Sequence, residues 1–276
     1  MKTDGIRFLV KRPRFEKRGM EQHIEEDAQN NMIDNDVIVL FSGCGGFSEG
    51  FKQAGFNIVF ANDEWSTALQ SHALNHPQAE HVLADIRTLD EFPEADIVIG
   101  SPPCQKFSRA GRQDHKIGMK LIKEFERVVR IVKPKYWVWE NVPAVAHYYK
   151  NSSILDAYDF GLPQHRKRCF VSNFSFIRMG VLEGIKTPPY LYDGGTIENL
   201  AKSKSGFKHM VCSGTVCTKR IRDVATNEYL TMEKVKELMG FPLDYQLVGG
   251  VSLQQKQLGN AVCPPVAKVI AEALRA

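Results

Sequence analysis

From Val37 onward the sequence alternates short runs of β-branched and apolar residues with longer stretches of helical periodicity. Units of this kind fold with parallel strands, because each intervening helix returns the chain to the same end of the sheet. The pattern therefore predicts an α/β fold with a Rossmann-like, doubly wound sheet. The predicted strands cover residues 37–41, 58–62, 81–85, 96–100, 136–140 and 169–172.

Helical periodicity predicts the elements that pack on this sheet. Thr231 is the expected N-cap of a short helix that ends at Gly240. Between the last predicted strand and this helix, prolines and glycines interrupt the pattern, so we expect a second, smaller, irregular or β-rich domain. The other predicted helices cover residues 47–54, 65–74, 121–132 and 264–276.

The composition is that of a globular protein, since 43% of the 276 residues are hydrophobic and 25% are charged. No stretch approaches the ~18 apolar residues that a membrane-spanning helix needs. We therefore expect a soluble, intracellular protein without a membrane partner. The six cysteines include no CxxC pair, which argues against a zinc site, and no metal is expected.

The charge is unevenly distributed, although the formal net charge is only +4. Residues 1–35 form a terminal arm that is first basic and then acidic. Residues 199–222 contain no Asp or Glu, and such a basic segment can neutralise phosphates. A solvated basic face is the alternative interpretation. The basic residues of this run are Lys202, Lys204, Lys208, Lys219, Arg220 and Arg222.

Glycines and acidic residues follow three successive predicted strands. Gly43 and Gly45 lie in the turn after the first strand, Asp63 and Glu64 follow the second, and Asp85 ends the third. Glycines let a ligand approach backbone N–H groups, and an acid can accept hydrogen bonds from a ribose diol. The arrangement predicts a nucleoside-containing cofactor. NAD(P) is the competing candidate, but the G-x-G-G order does not meet the GxGxxG fingerprint.

A cysteine, a carboxylate and two guanidinium groups follow the later strands. Cys104 comes directly after two prolines at the end of the fourth strand, as a nucleophile would need, and Glu140 ends the neighbouring fifth strand. Arg166 and Arg168 precede the next strand, where they could stabilise developing negative charge. A structural cysteine and a surface basic cluster are the alternatives.

Five motifs together resemble those of the cytosine-5 DNA methyltransferase family, and they occur in the family's order. They read FSGCGGFSEGF at 41–51, SPPCQKFSRAG at 101–111, ENV at 140–142, GLPQHRKR at 161–168 and GNAV at 259–262. The resemblance implies S-adenosylmethionine as the methyl donor. It also implies that Cys104 attacks C6 of a cytosine and that Glu140 holds or protonates N3, so that C5 can accept the methyl group. A base inside a duplex shields C6, so the nucleotide would be flipped out.

The resemblance also assigns roles to other residues. Arg166 and Arg168 would contact the O2 side of the cytosine and organise the catalytic loop, and Asp63 rather than Glu64 would accept from the ribose. The loop residues Gln105, Ser108, Arg109 and Arg112 would close over the flipped base, and the basic run 199–222 would contact DNA. The cofactor site would be lined by Phe41, Gly43, Gly45, Asp63, Glu64, Asp85, Ile86, Pro103, Asn260 and Val262.

We therefore expect a methyltransferase of double-stranded DNA, monomeric on DNA, with a cognate restriction endonuclease as a possible partner. In a prokaryote it would be cytoplasmic and associated with the nucleoid. Methylation of a tRNA cytosine and a catalytically inactive DNA-binding relative are the alternatives. The expected domains are the arm 1–35, a catalytic domain of 36–173 completed by 257–276, and a target-recognition domain of 174–256.

Two features depart from the family pattern. Glu228 stands where the family often has an arginine, two residues before Leu230-Thr231. Only residues 141–160 separate Glu140 from the GLPQHRKR motif, whereas a parallel crossover usually takes a dozen or more residues and a helix. Either the crossover is a trimmed loop, or a segment near Lys150 is missing from the sequence.

Overall fold

The computed structural model describes residues 6–8, 35–103, 115–175, 216, 218 and 228–275, with the backbone alone for 6–8 and 115–118. An eight-stranded sheet organises this part of the chain. The strands are β1 (Ile6–Phe8), β2 (Asp36–Leu40), β3 (Asn57–Asp63), β4 (Glu80–Leu83), β5 (Ile97–Gly100), β6 (Tyr136–Asn141), β7 (Ser152–Asp156) and β8 (Lys167–Ser172). The α-helices are α1 (Gly46–Gln53), α2 (Ser66–Asn75), α3 (His115–Val132), α4 (Met232–Met239), α5 (Val251–Asn260) and α6 (Pro264–Glu272).

The strand order is β1-β4-β3-β2-β5-β6-β8-β7. All neighbouring pairs are parallel except those that involve β8, which runs antiparallel to both β6 and β7. The chain winds outward from β2 in one direction and from β5 in the other, so the topological switch point lies between these two strands. The predicted Rossmann-like α/β fold is confirmed, and each predicted strand is present with ends shifted by at most two residues.

Alternating residues of the central strands supply two hydrophobic layers. Val37 and Val39 belong to a core that also contains buried residues of α1, α4 and α6. Ile38 and Leu40 point to the other face and join the core beneath α3. Strands that are buried on both faces have continuous apolar sequences, and this is why the central strands could be predicted from the sequence.

The short span after β6 is crossed by a 3-10 helix, Pro143–Tyr148, and not by an α-helix. β7 then follows and lies two positions away from β6, because the antiparallel strand β8 occupies the place between them. A ten-residue connection is long enough for this crossover when it needs no α-helix. The structure therefore corresponds to the trimmed crossover, which leads into the five-residue strand β7.

Three features differ from what the sequence led us to expect. Ile6–Phe8 forms an edge strand beside β4, although it lies in the predicted terminal arm. Helix α5 was not predicted, since its apolar residues show no helical periodicity. Residues of the predicted target-recognition range, among them Val235 and Tyr245, are buried in the same core as α1 and α6. The division at residue 256 stays a prediction, but the packing shows that 230–256 is continuous with the catalytic core.

Helix ends follow the sequence signals where these were clear. The hydroxyl of Thr231 accepts a hydrogen bond from the backbone N–H of Lys234 and caps α4, and Gly240 ends this helix in the left-handed conformation, at φ 74°. Among the described residues, no helix combines the length and the apolar character needed to cross a membrane.

Candidate active site

A cavity of about 470 Å³ opens at the carboxyl ends of β2, β3, β5 and β6, at the topological switch point. This is where open α/β sheets bind their ligands. Its volume lies in the range typical of small-molecule sites, about 300 to 1,000 Å³. The residues predicted from sequence that line it are Phe41, Gly43, Asp63, Glu64, Asp85, Ile86, Pro103, Glu140, Arg168, Asn260 and Val262.

The glycine turn after β2 is held from below by Asp63. Gly43 has a φ of 55° and donates its N–H to Oδ2 of Asp63 at 2.7 Å. The N–H of Trp65 donates to the other carboxylate oxygen at 2.8 Å. Burial raises the pKa of Asp63, and the two backbone donors oppose that shift. Asp63 therefore connects the end of β3 to the glycine turn.

These hydrogen bonds bear on the roles expected of Asp63 and Glu64. We expected Asp63 to accept from the ribose, but both of its oxygens accept backbone hydrogen bonds. The neighbouring Glu64 lines the cavity and is exposed. Asp63 therefore supports the turn and Glu64 offers a second carboxylate to the cavity, and which of the two accepts from a ribose stays a prediction.

At the end of β4, Asp85 accepts hydrogen bonds from the guanidinium and the backbone N–H of Arg87. The Arg87 side chain keeps the pKa of Asp85 below its usual value. Ile86 is buried and contributes an apolar surface to the same wall of the cavity. An anionic carboxylate and an apolar side chain therefore lie next to each other in this wall.

Glu140 and Arg168 form an ion pair in the wall of the cavity. Nε of Arg168 lies 3.0 Å from Oε1 of Glu140, and both side chains are mostly buried. Burial raises the pKa of Glu140, while Arg168 and, less strongly, Arg166 lower it. Glu140 can therefore hold a proton at a higher pH than an exposed glutamate, with a cation beside it that steadies the anion.

The proline turn that precedes Cys104 is attached to the same strand as Glu140. Asn141 donates from Nδ2 to the backbone oxygen of Pro102 at 3.0 Å. Pro102 and Pro103 line the cavity with Ser101. Two prolines restrict the backbone here, so the chain leaves β5 in a defined direction beside Glu140.

The side chains of the two arginines of the GLPQHRKR motif lie in different places. Arg168 lines the cavity, but Arg166 does not. The buried guanidinium of Arg166 donates to the backbone oxygens of Val216, Gly259 and Ala261 at 2.8, 2.9 and 2.8 Å. Of the two arginines expected at the substrate, only Arg168 therefore lines the cavity, and Arg166 connects backbone segments behind its wall.

The family model of C-5 cytosine-specific DNA methylases matches residues 36–153 and 197–276. The chain belongs to this family. The methyltransferase is 30% identical to the type II methyltransferase M.HgiDI of Herpetosiphon aurantiacus, over 87% of this chain and 94% of that protein. It is 27% identical to M1.HphI of Haemophilus parahaemolyticus over 86% of both chains.

A solved structure has the same fold. It is that of an E. coli prophage protein assigned as a DNA modification methyltransferase, with a TM-score of 0.67 at 20% identity. The match covers 87% of this chain and 98% of that one. The fold of the methyltransferase is therefore shared with a DNA-modifying protein at low sequence identity.

Gly45 was expected to line the cofactor site, but in the methyltransferase it does not line the cavity. It has a φ of 100°, and a Cβ there would collide with the hydroxyl of Tyr245. That hydroxyl donates to the backbone oxygen of Cys44 at 2.5 Å. Glycine is required at this position because the turn rests directly on Tyr245.

Three buried histidines beneath the turn were not expected from the sequence. His72 lies on α2, His76 is the C-cap of that helix, and His81 lies on β4. His72 is within 2.8 Å of both Ser48 Oγ and His81 Nε2. Burial lowers the pKa of all three histidines, that of His76 to about 3 and that of His81 to about 4. The i, i+4 spacing of His72 and His76 was the only available signal, and it says nothing of burial.

The cysteines in the described part of the chain are unsuited to nucleophilic attack. Cys44, Cys169 and Cys263 are buried thiols. Burial raises their pKa values to about 12, 11 and 11. A thiolate is the reactive form, so these residues are inert at neutral pH. The described residues also contain no cluster of His, Cys, Asp or Glu that could hold a metal ion.

Several cavity residues were missed by the motifs. Trp65 and Gln257 line the cavity without belonging to any of them, and the Lys256 ammonium lies over the Trp65 ring, 4.7 Å from its centroid. The available signal for Trp65 was an aromatic residue directly after Glu64. The expected residues Cys104, Gln105, Ser108, Arg109, Arg112, Lys202, Lys204, Lys208, Lys219, Arg220 and Arg222 lie outside the described residues and stay predictions.

Proposed function

We propose that this methyltransferase uses S-adenosylmethionine to methylate C5 of a flipped-out cytosine in a specific double-stranded DNA sequence, through a covalent bond between Cys104 and C6. The observation that carries the proposal is the Glu140–Arg168 pair in the cavity wall beside the proline turn. Cys104 follows Pro103 directly in the sequence. A carboxyl group with a raised pKa, a cation and a cysteine are the groups that this chemistry needs.

The cavity fits an adenosine-based cofactor. Gly43 has open space where a Cβ would stand, so a ligand can approach the turn closely. Glu64 would accept from the ribose diol, and Phe41, Trp65 and Ile86 would contact the adenine. Asn260 and the backbone around it would close the cavity on the other side. When bound, S-adenosylmethionine supplies an electrophilic methyl group.

The residues of this chain would activate the base. The Cys104 thiolate adds to C6, and the electron pair of the C5–C6 double bond moves toward C5 while Glu140 supplies a proton at N3. Arg168, which lies against the Glu140 carboxylate, would contact the O2 side of the same ring. After C5 has gained the methyl group, a water molecule or another base takes the C5 proton, the electron pair of that C–H bond restores the double bond and expels Cys104, and the N3 proton returns to Glu140. A thiolate suits both steps, because it is a strong nucleophile and a competent leaving group.

The substrate is duplex DNA in this proposal because the relatives are named type II methyltransferases and the insert is basic. The loop from Gln105 to Arg112 would close over the flipped base, and the run 199–222 would contact phosphates and bases. We infer a restriction-modification role with a cognate endonuclease, a monomer on DNA, and a cytoplasmic location in a prokaryotic cell.

The experiment incubates the enzyme with S-adenosylmethionine and either genomic DNA or tRNA, and maps 5-methylcytosine by sequencing. Methylation at one short DNA motif is the expected result. Methylation of tRNA alone, or of neither substrate, would contradict the proposal.

The covalent step has its own test. A duplex that contains the mapped motif with 5-fluorocytosine should form an adduct that survives a denaturing gel, because fluorine cannot leave C5 as the proton does. Cys104→Ala should form no adduct and transfer no methyl group, while it still binds the duplex within a few fold of wild type. Turnover by this variant would exclude Cys104 as the nucleophile.

A further inference from the structure

Two side chains of the GLPQHRKR motif bind both polar backbone groups of Val216. The amide oxygen of Gln164 accepts from the N–H of Val216 at 3.0 Å, and the guanidinium of Arg166 donates to its carbonyl at 2.8 Å. The Gln164 amide nitrogen donates to the carbonyl of Leu238 at 2.6 Å. Val216 is completely buried. Val216, which lies within the basic run 199–222, is therefore attached to the catalytic core by both of its polar backbone groups.

The same guanidinium also binds a second segment that lines the cavity. One of its nitrogens donates to the carbonyls of Gly259 and Ala261 at 2.9 and 2.8 Å. These two residues flank Asn260, and all three line the cavity together with Val216. The planar fork of an arginine can address carbonyls on two separate segments, whereas the point charge of a lysine cannot hold the same three partners in one geometry.

In the proposed reaction, the two connected segments would lie next to different ligands. Val216 is followed within six residues by Lys219, Arg220 and Arg222 of the basic run. The segment Gly259–Ala261 lies on the side of the cavity where the cofactor would bind. A movement of either segment must displace Arg166, because the guanidinium is buried and its donors are committed to both.

We propose that Arg166 is a positioning residue that couples target binding to cofactor binding. The proposal rests on the proposed function, since it takes DNA as the ligand of the insert and S-adenosylmethionine as the ligand of the cavity. Arg166 keeps Val216 and the segment Gly259–Ala261 in one relative position. A ligand that orders one of these segments therefore also fixes the position of the other. Such coupling is reciprocal and amounts to about 5- to 150-fold in known cases.

The test measures the Kd of S-adenosylhomocysteine by calorimetry, with and without a saturating duplex that carries the mapped motif. The wild type should bind at least about fivefold more tightly in the presence of the duplex. In Arg166→Lys this ratio should fall below about twofold. The matched control is Arg275→Lys, which removes an arginine that also donates to a backbone carbonyl, that of Gly55, away from the cavity. The control should keep the wild-type ratio.

A second variant keeps the test decisive if Arg166→Lys does not fold. Gln164→Met removes the acceptor for the Val216 N–H and leaves the Arg166 side chain in place, so its ratio should fall part of the way. A wild-type ratio near one, or a wild-type ratio retained in both variants, would overturn the inference. Failure of the proposed function would differ, because the wild type would then bind no S-adenosylhomocysteine or methylate no DNA.

Discussion

Nε of Arg168 lies 3.0 Å from Oε1 of Glu140, and this pair occupies the wall of the cavity beside the turn that leads to Cys104. A buried carboxylate with one cation beside it is stabilised as an anion, while burial favours its protonated form. Burial is the larger effect here, and the pKa of Glu140 is raised. The pair thus places a carboxyl group with a raised pKa in the cavity wall, with a cation directly beside it.

Glu140→Gln should lower the rate of methyl transfer by about 100-fold or more, because glutamine keeps the shape but cannot donate a proton to N3. Single-turnover methylation of a duplex with the mapped motif measures this rate. The exposed Glu94 offers the control, and Glu94→Gln should react at the wild-type rate. A Glu140→Gln rate within a few fold of wild type would remove proton transfer by Glu140 from the mechanism.

The neighbours Asp63 and Glu64 should respond differently to truncation. Glu64→Ala should raise the Kd of S-adenosylhomocysteine by about tenfold through loss of charged hydrogen bonds, with little change in unfolding free energy because Glu64 is exposed. Asp63→Ala should instead lower the unfolding free energy by about 1–3 kcal/mol, since the N–H groups of Gly43 and Trp65 lose their acceptor.

Calorimetry and urea denaturation separate these two effects. The opposite pattern, with weakened binding but unchanged stability in Asp63→Ala and normal binding in Glu64→Ala, would return the ribose contact to Asp63.

The buried histidines should make the enzyme less stable in acid. Their folded pKa values are depressed by burial, to about 3 for His76 and about 4 for His81, against about 6.5 in the unfolded chain. Below pH 6.5 the unfolded state therefore binds more protons than the folded state, and the free energy of unfolding falls as the pH is lowered through this window. Each histidine contributes a slope of up to about 1.4 kcal/mol per pH unit.

Urea unfolding at several pH values between about 5 and 7 measures this slope. His81→Gln should reduce it by the share of one histidine, whatever its effect on stability at neutral pH. The exposed His147 provides the control, and His147→Gln should leave the slope unchanged. An equal slope in wild type and His81→Gln would show that His81 binds protons alike in the folded and unfolded states, so that burial does not depress its folded pKa.

Helix α1 packs closely on α6, and Gly50 makes this approach possible. A Cβ at Gly50 would stand 2.5 Å from the carbonyl oxygen of Pro264, inside van der Waals contact. Gly50→Ala should therefore lower the free energy of unfolding by about 1–3 kcal/mol. At Gly250, which starts α5, a Cβ would meet no heavy atom within 4 Å. Gly250→Ala should change stability by less than about 1 kcal/mol in the same urea titration.

The sheet could be predicted from the sequence because its signals are local. Val37 to Leu40 is a continuous apolar run that both faces of the sheet bury, and glycines, prolines and acids follow the strands at their carboxyl ends. The motifs are short and contiguous, so the family and the identity of Glu140 and Arg168 as cavity residues could also be inferred. Helix α5 lacked such a signal, since tertiary contacts and not amphipathic periodicity place it.

The sequence by itself determined the fold class, the family and the edge of the sheet where the site lies, because these follow from patterns within a few neighbouring residues. The tertiary structure alone decided which partners each of two neighbouring residues of the same type has. Asp63 and Glu64 are adjacent carboxylates, and what distinguishes them is that Asp63 accepts from the N–H of Gly43, 20 residues away, as well as from that of Trp65. Arg166 and Arg168 are two residues apart, but the partners of Arg166 lie 50 to 95 residues away, and no local pattern encodes such contacts.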